Sequence, residues 1–410
     1  MLTHSDILLY FCVDIGYVTY YNEYIRTREG ITLNRRKRWI IGLLIFLAAD
    51  LIALAIVVKP MLFPTPVEAT TEQAWTVPID YEMTAAPETT APQTTAPIPE
   101  NTPAEDTLTI SFVGDCMFAS NHGGFGSASF NRMASQKAPT YFLNNFTDLF
   151  HADDFTIANC EGVLSDSEEL TEKEVTTEIA FWFKGPASNA KIFEVSGVEL
   201  ASVVNNHSHD FGQQGSDDTE RALEAVGVLP GRRDKVTYTT VKGQKLGIFC
   251  CSLYGYDYIY DILDKLHEMQ AEQCDLKILY FHGGIENETV PEDWKVCACH
   301  ELIDAGADII VGSHPHVLQP MEIYNGKPIL YSMGNFCFGG NTKPPKNTIV
   351  YQAEFDLKDG TLCSRTDTLI PCAVYAGSQN NYQPYIVTDS GKQQEILRFM
   401  QTPVGTGRET

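Results

Sequence analysis

The chain has 410 residues, of which 44% are hydrophobic and 20% are charged, so it can hold one large globular domain together with further segments. Its formal net charge of −24 argues against nucleic acid as a partner, because phosphate binding requires clustered lysine and arginine. The 11 cysteines lack zinc-finger spacing and are expected to be mostly small core residues, with Cys363 and Cys372 as a candidate disulfide across a late hairpin.

A strongly apolar run, WIIGLLIFLAADLIALAIVV, occupies residues 39–58 and has roughly the 20 residues needed to cross a bilayer. Its one charged residue, Asp50, costs roughly 2.5–3.5 kcal/mol on insertion, which the apolar neighbours offset. Several basic residues lie at the end of segment 1–38, directly before the run, whereas only Lys59 follows it. This asymmetry predicts a short cytoplasmic tail and a single-pass membrane anchor. A cleaved signal peptide is the alternative, but the run is long and starts late for one.

Residues 59–106 are rich in Thr, Pro and Glu and show no apolar periodicity. Such a segment cannot bury enough surface to offset its ordering entropy, so we expect a disordered linker, semi-stiff through its prolines. The linker would hold the following domain clear of the membrane surface on the extracellular side.

From residue 107 to residue 375 the sequence predicts one α/β domain, followed by a C-terminal extension over 376–410. Beyond Cys372 we expect a short strand or two and then a polar end. Short apolar runs, each ending at a polar cluster, occupy residues 108–113, 155–158, 200–204, 246–251, 277–281, 308–311 and 328–331. Helices are predicted between them, one starting at Ser216 and ending before Gly227, another from Pro291 to Asp304 with Gly306 as its C-cap. Strands that alternate with helices indicate an α/β sheet, in which ligands bind beyond the carboxyl ends of the strands.

The polar residues at those strand ends form a mixed set of oxygen and nitrogen ligands. They are Asp115, Glu161, Asn206, His207, His282, His314 and His316. Carboxylates, an amide and imidazoles together suit Mn, Fe or Zn better than Ca. The set is too large for one tetrahedral ion and suits a pair of metals ~3.5–4 Å apart, the arrangement that supports in-line phosphoryl displacement.

Several motifs in this region resemble a known family. They are VGDCMF, ANCEGVL, VVNNHSHDFGQQG, YFHGGIE, GADIIVGSHPHVLQP and YNGKPILYSMGNF, in this order from Leu108 to Phe338. The sequence is similar to the CapA-type capsule-biosynthesis proteins, which are linked to poly-γ-glutamate capsules and belong to the calcineurin-like metallophosphoesterase superfamily. The resemblance implies a four-layer α/β/β/α sandwich of two mixed sheets flanked by helices.

The resemblance also implies a role for each strand-end residue. The implied metal ligands are Asp115, Glu161, Asn206, His282, His314 and His316. Asp115 and His316 would bind the first metal, Glu161 would bridge the two metals, and the other three would bind the second.

Two further residues are implied to take part in catalysis, and one expected ligand is missing. His207 would face the substrate and donate a proton or hydrogen bond to a phosphoryl oxygen, with Asp210 orienting it. Superfamily phosphatases usually carry a histidine two residues after the first aspartate, but this chain has Met117. They also usually carry aspartate as the bridging carboxylate, where this chain has Glu161. The first metal site is therefore expected to have fewer or weaker ligands.

Three functions remain open on the sequence. The first is a two-metal phosphoesterase-type hydrolase acting outside the membrane on a phosphorylated carrier or an anionic envelope polymer. The second is a capsule-assembly enzyme that uses the same pocket for amide or acyl transfer. The third is a polymer-binding or export component without turnover. In each case other capsule synthesis or export proteins are candidate partners.

Overall fold

The structure is a computed structural model that describes residues 107–122, 129–168, 172 and 181–404. The predicted tail, anchor and linker, residues 1–38, 39–58 and 59–106, lie outside the described residues. Within the described part of the chain, no helix is long and apolar enough to cross a membrane.

The domain consists of strands and helices that alternate over much of its length. The strands are β1 (Thr107–Met117), β2 (Ser120–Asn121), β3 (Phe155–Cys160), β4 (Val163–Leu164), β5 (Phe183–Gly185), β6 (Leu200–Ser202), β7 (Leu229–Gly231), β8 (Thr237–Val241), β9 (Gln244–Ser252), β10 (Leu276–His282), β11 (Ile309–Ser313), β12 (Leu318–Tyr324), β13 (Lys327–Met333), β14 (Asn335–Phe338), β15 (Asn347–Lys358), β16 (Thr361–Ala373) and β17 (Tyr385–Ile386). The helices are α1 (Phe130–Ala134), α2 (Thr147–Ala152), α3 (Lys191–Val195), α4 (Gly212–Ala225), α5 (Ile259–Ala271), α6 (Asp293–Asp304) and α7 (Ser390–Met400).

Two large mixed sheets contain most of these strands. The first has the order β17-β16-β15-β1-β3-β6-β7, in which β1, β3, β6 and β7 are parallel and β15 to β17 are antiparallel. Its strand β1 pairs with β15 along its first half and with β14 along its second half, so Asp115 lies opposite Asn335. The second sheet has the order β12-β13-β11-β10-β9-β8, with β9, β10, β11 and β13 parallel. A small third sheet joins β2, β5 and β4.

Alternation along the central strands explains how the layers pack. On β9, Ile248 and Cys250 belong to the apolar cluster shared by the two large sheets, whereas Phe249 belongs to a cluster with α5 and α6. Successive residues of a strand point to opposite faces, so a strand buried on both faces reads as a continuous apolar run. A further cluster packs the outer face of the first sheet against α2, α3 and α4. The layers therefore run helices, sheet, sheet, helices, and the predicted mixed α/β class is confirmed.

The predicted runs all fall on strands, but the limits of one helix were wrong. The helix expected to start at Ser216 begins four residues earlier, at Gly212. Its acidic residues lie in the second turn, where Asp217 and Asp218 accept hydrogen bonds of 2.7 Å from Gln213 and Gln214 at i,i+4 spacing. The helix predicted up to Asp304 is confirmed at that end, and Gly306 after it has a φ of 112°.

Two expectations about the C-terminal part of the domain also differ from the structure. One or two short strands and a polar end were expected after Cys372, yet the segment contains β17 and the helix α7, whose Ile396 and Met400 are buried. The disulfide between Cys363 and Cys372 is absent, and all cysteines of the described residues are free thiols. Both lie on the single strand β16, and a rise of about 3.3 Å per residue places them roughly 30 Å apart.

Candidate metal centre

The candidate centre lies where the carboxyl ends of strands from both large sheets meet. Asp115 lies near the end of β1, Glu161 follows β3 directly, and His282 is the last residue of β10. His314 follows β11, whose last residue Ser313 pairs with His282. Neighbouring parallel strands have their carboxyl ends at the same end of the sheet, so the parallel pairing within each sheet brings these side chains together. The structure thus places all the predicted ligands in one region.

One group of ligand atoms is formed by Asp115, Glu161 and His316, which all lie within 4.8 Å of one another. His316 Nδ1 lies 3.4 Å from Asp115 Oδ2, and His316 Nε2 lies 3.8 Å from Glu161 Oε1. Asn335, the first residue of β14, places its Oδ1 3.0 Å from His316 Nδ1. Asp115, Glu161 and His316 are the residues that the resemblance implies for the first metal and for the bridge between the metals.

A second group of ligand atoms converges on His282. Its Nε2 lies 2.8 Å from Asn206 Oδ1 and 3.0 Å from His314 Nδ1. Its Nδ1 lies 3.6 Å from Asp115 Oδ1, which connects this group to the first. Two imidazole nitrogens and an amide oxygen are typical ligands of Zn, Mn or Fe. They are the three residues that the resemblance implies for the second metal.

The two histidines that follow β11 have a backbone conformation unusual for side-chain-bearing residues. His314 has a φ of 99° and His316 a φ of 59°, on either side of Pro315. Non-glycine residues with positive φ are uncommon, and such conformations persist where the surrounding structure holds them. Here the backbone N–H of His314 donates to Asp115 Oδ2 over 3.2 Å. The turn brings the His316 imidazole to the carboxylates of Asp115 and Glu161 and the His314 imidazole to His282.

Glu161 shows that the centre suits a cation. Its side chain is 1% exposed, and within the described residues neither carboxylate oxygen has a hydrogen-bond partner. A buried carboxylate without partners is costly unless it is protonated or bound to a cation. The surrounding donor set of carboxylates, an amide and imidazoles has the chemistry that a divalent ion requires, so the residues fit a metal.

The charges of the first group are strongly coupled. Burial raises the pKa of Glu161 well above its usual range, and Asp115 raises it further, against the attraction of His316. Burial lowers the pKa of His316, but Glu161 and Asp115 outweigh this effect and raise it to about 10. Burial also lowers the pKa of His314, to about 2, with the neighbouring His282 adding to the shift. The two carboxylates thus favour the protonated imidazole of His316, whereas burial favours the neutral imidazole of His314.

His207 lies at the edge of the centre with its ring oriented by an aspartate. Its Nδ1 lies 2.8 Å from Oδ2 of the fully buried Asp210, which also accepts a hydrogen bond of 2.8 Å from the backbone N–H of Phe183. Its Nε2 lies 3.9 Å from Glu161 Oε1. The ring of Phe183 packs edge-on against it at 4.7 Å between centroids. Asp210 thus holds the Nδ1 side, and Nε2 faces the ligands.

Sequence reasoning missed two residues of the centre. Glu286, in the loop after β10, has a ligand atom within 4.8 Å of those of His314 and His316. Tyr254, just after β9, packs its ring edge-on against His314 at 5.1 Å between centroids. The phrase YFHGGIE contains Glu286, but a loop carboxylate four residues beyond a strand end has no periodic signal of its own.

Comparison with known families shows to which one the chain belongs. The family model for bacterial capsule synthesis proteins, PGA_cap, matches residues 109–340, more than half of the chain. The matched region contains all residues of the centre described above, whereas β15, β16, β17 and α7 lie beyond it. The chain belongs to this capsule synthesis family, and the resemblance seen in its motifs is confirmed.

Individual relatives agree with this membership. The chain is 28% identical over 281 residues to the PGA biosynthesis protein CapA of Bacillus subtilis (strain 168), an alignment that covers 63% of this chain and 70% of the relative. It is 24% identical over 280 residues to the capsule biosynthesis protein CapA of Bacillus anthracis, covering 62% and 65%. A crystal structure of a novel phosphatase from Mycoplasma pneumoniae is 14% identical, with coverage of 67% and 95% and a TM-score of 0.40. Such a TM-score carries no argument about activity.

Proposed function

We propose that the chain is a membrane-anchored, extracytoplasmic protein of capsule or envelope polymer biosynthesis that acts as a two-metal phosphoesterase-type hydrolase. The observation that supports metal-dependent chemistry best is the buried Glu161 carboxylate, whose oxygens lack hydrogen-bond partners among the described residues. Its Oε1 lies 3.8 Å from His316 Nε2 and 3.9 Å from Nε2 of the oriented His207. This arrangement combines a cation site with a proton donor.

The two groups of ligand atoms would each hold one divalent ion, with Mn, Fe and Zn as the candidates. Asp115 and His316 would hold the first ion, the other group of three would hold the second, and Glu161 would contact both. When bound, such a pair neutralises charge on a phosphoryl group and lowers the pKa of water. The buried residues exclude bulk water from this position, which strengthens every charge interaction within it.

His207 would serve as the proton donor. Asp210 Oδ2 accepts from the Nδ1 side at 2.8 Å and so fixes the ring, leaving Nε2 directed at the position of the reacting group. The imidazole is 14% exposed, so it reaches both the interior of the centre and the substrate. Protonated Nε2 can hydrogen-bond a phosphoryl oxygen or protonate the leaving oxygen.

An arginine beside the centre supports an anionic substrate. Arg233 donates from Nη2 to Ser252 Oγ over 2.8 Å, and Ser252 pairs with His282 across β9 and β10. Its neighbour Arg232 is held by Glu220 and Glu224, whereas Arg233 is exposed and lines a cavity of about 440 Å³ next to the loop that carries His207. An arginine fork suits carboxylate and phosphate groups alike.

Purified full-length protein tests this function through metal content and hydrolysis. We expect bound divalent metal, and hydrolysis of a generic phosphomonoester or phosphodiester when Mn is added. His207→Ala should lower kcat by ~10²–10⁴-fold and leave the metal content unchanged, because His207 serves as a proton donor and not as a metal ligand. His267→Ala removes an exposed histidine on α5, outside the centre and outside the cavity that Arg233 lines, and is the matched control that should retain activity.

Each alternative function predicts a different result. A pocket used for amide or acyl transfer would cleave or extend γ-glutamyl oligomers and leave phosphoesters intact. Bound metal without turnover on either substrate class, with polymer binding unaffected by His207→Ala, would support a binding or export component. Absence of bound metal in the wild-type protein would contradict both enzymatic functions.

The location outside the membrane is part of the proposal and has its own test. It rests on the apolar run at residues 39–58, the basic residues before it and the linker after it. Protease added to intact cells should remove the domain that starts at residue 107. Protection of this domain until the cells are lysed would contradict the topology.

A further inference from the structure

The first metal position lacks one ligand at the place where the superfamily pattern would supply it. Met117, two residues after Asp115, is fully buried and packs in an apolar cluster with Phe183, Phe338 and Tyr375. A thioether in an apolar cluster offers no ligand to an ion that prefers oxygen and nitrogen. Asp115, Glu161 and His316 therefore leave the first ion short of protein ligands.

Glu286 approaches this position from the loop after β10. Its ligand atom, like those of His314 and His316, falls within a group whose members are all within 4.8 Å of one another. Its charge is near enough to raise the pKa of both Glu161 and His316. It reaches the centre from the second sheet, whereas Met117 belongs to the first.

The backbone on both sides of Glu286 is held in place. After it, the N–H of Asn287 donates to Pro315 O over 2.8 Å, which ties the loop to the turn between the two histidines. Glu288 O accepts from Gln319 Nε2 over 2.9 Å. Before it, Gly283 lies so close to β9 that an added Cβ would be 1.8 Å from Leu253 O. A carboxylate on a fixed backbone needs little reorganisation to bind an ion.

The same loop packs on a buried lysine. Lys295 is fully buried, with Nζ 2.7 Å from Glu292 Oε2 and 3.1 Å from Gln319 Oε1. An added Cβ on Gly284 would lie 2.2 Å from that Nζ, so the loop packs directly on the ammonium group. Lys295 is thus a positioning residue for the loop that presents Glu286.

The buried Glu161 provides an independent reason for a cation here. It is 1% exposed, its oxygens have no hydrogen-bond partner among the described residues, and its Oε1 lies 3.8 Å from Nε2 of His316, which also lies in one cluster of ligand atoms with Glu286 and His314. We propose that Glu286 is a ligand of the first metal and replaces the side chain missing at Met117. The proposal rests on the metal-dependent function above and extends it to a residue outside the superfamily pattern.

Manganese binding to the full-length protein tests this inference without any assay of activity. Metal per chain is measured by inductively coupled plasma mass spectrometry after dialysis, and affinity by isothermal titration calorimetry. Glu286→Gln should weaken binding of one manganese by at least ~10-fold, because a charged ligand becomes a neutral amide. Glu288→Gln removes the same charge two residues along the same exposed loop and should bind two ions as the wild type does.

The possible results separate the two levels of the proposal. Wild-type protein that binds no manganese would overturn the proposed function and this inference with it. Two ions bound with unchanged affinity in Glu286→Gln would overturn the inference alone. Equal weakening in both variants would indicate a general charge effect and would likewise overturn it. Thermal unfolding in chelator should show equal melting temperatures for the two variants, which excludes a difference in folding.

Discussion

At the scale of single residues, the centre combines groups that are unfavourable without a cation. Glu161 is buried without hydrogen-bond partners among the described residues, and His314 and His316 hold positive φ angles of 99° and 59°. Residues in costly states persist at functional sites because the rest of the fold stabilises them. The stability of the centre is therefore expected to depend on bound metal more than that of its surroundings.

Glu161→Gln should have opposite effects on metal binding and on metal-free stability. The amide removes a buried charge, so we expect the free energy of unfolding in chelator to rise by about 1–3 kcal/mol. Manganese affinity should fall. The raised pKa of Glu161 means that its protonated form is favoured by folding, so the gain should be larger at pH 8 than at pH 5.

Chemical denaturation in chelator, with Glu354→Gln as the matched control on the exposed side of β15, measures this effect. A less stable Glu161→Gln protein in chelator would show that the carboxylate is stabilised by the protein itself and needs no cation.

At the scale of elements, the loop between β10 and α6 connects the centre to the buried part of the second sheet. Lys295 and Glu292 form an ion pair in which the lysine side chain is 0% and the glutamate 12% exposed. Burial lowers the pKa of Lys295, although Glu292 opposes the shift. Removal of one member of such a pair leaves an uncompensated charge, whereas removal of both is often neutral.

Variants of this pair should show strong non-additivity. Lys295→Met and Glu292→Leu should each lower the free energy of unfolding by about 3–5 kcal/mol, and the double variant should lose less than either one. Urea denaturation of the three variants measures the coupling. Losses that simply add would contradict the buried pair and weaken the role of Lys295 in holding the loop.

At the scale of the whole molecule, the two ends of the parallel strands of the first sheet carry different titratable groups. The centre lies at the carboxyl ends of its parallel strands, and a separate pair of acids lies at the amino ends. Asp153 Oδ2 accepts from Thr156 Oγ1, and Glu199 Oε2 accepts from Thr156 N, each over 2.7 Å. Burial raises the pKa of both carboxyls to about 7.

Because of these two acids, we expect the free energy of unfolding to fall as the pH becomes alkaline. Because the folded-state pKa is raised, each carboxyl contributes stability that is fully present below about pH 4 and is lost as the pH rises through about 7. The free energy of unfolding in chelator should fall between pH 5 and pH 8. Asp153→Asn and Glu199→Gln should each reduce the slope of the free energy of unfolding against pH, by up to the equivalent of one proton.

Denaturant titrations at several pH values check this expectation, with the exposed Glu354→Gln again as the control. Unchanged slopes in both variants would locate the pH dependence elsewhere, in the metal centre above all.

Much of the fold and of the centre could be predicted from the sequence. The apolar runs that end near Asp115, His282 and His314 predicted the strands and the convergence of these side chains, because the carboxyl ends of parallel strands lie at one end of a sheet. The start of α4 was wrong because acids in its second turn resemble the acids of a first turn. The disulfide was wrong because spacing along the chain does not show that Cys363 and Cys372 share one strand.

The sequence by itself determined the family and the α/β class and predicted a set of candidate ligands at the strand ends, since these follow from motif order and apolar periodicity. Only the tertiary structure showed that Glu161 lacks hydrogen-bond partners among the described residues, and that Glu286 from the second sheet approaches His316. Both facts depend on how two sheets face each other, and contacts between sheets have no period along the chain.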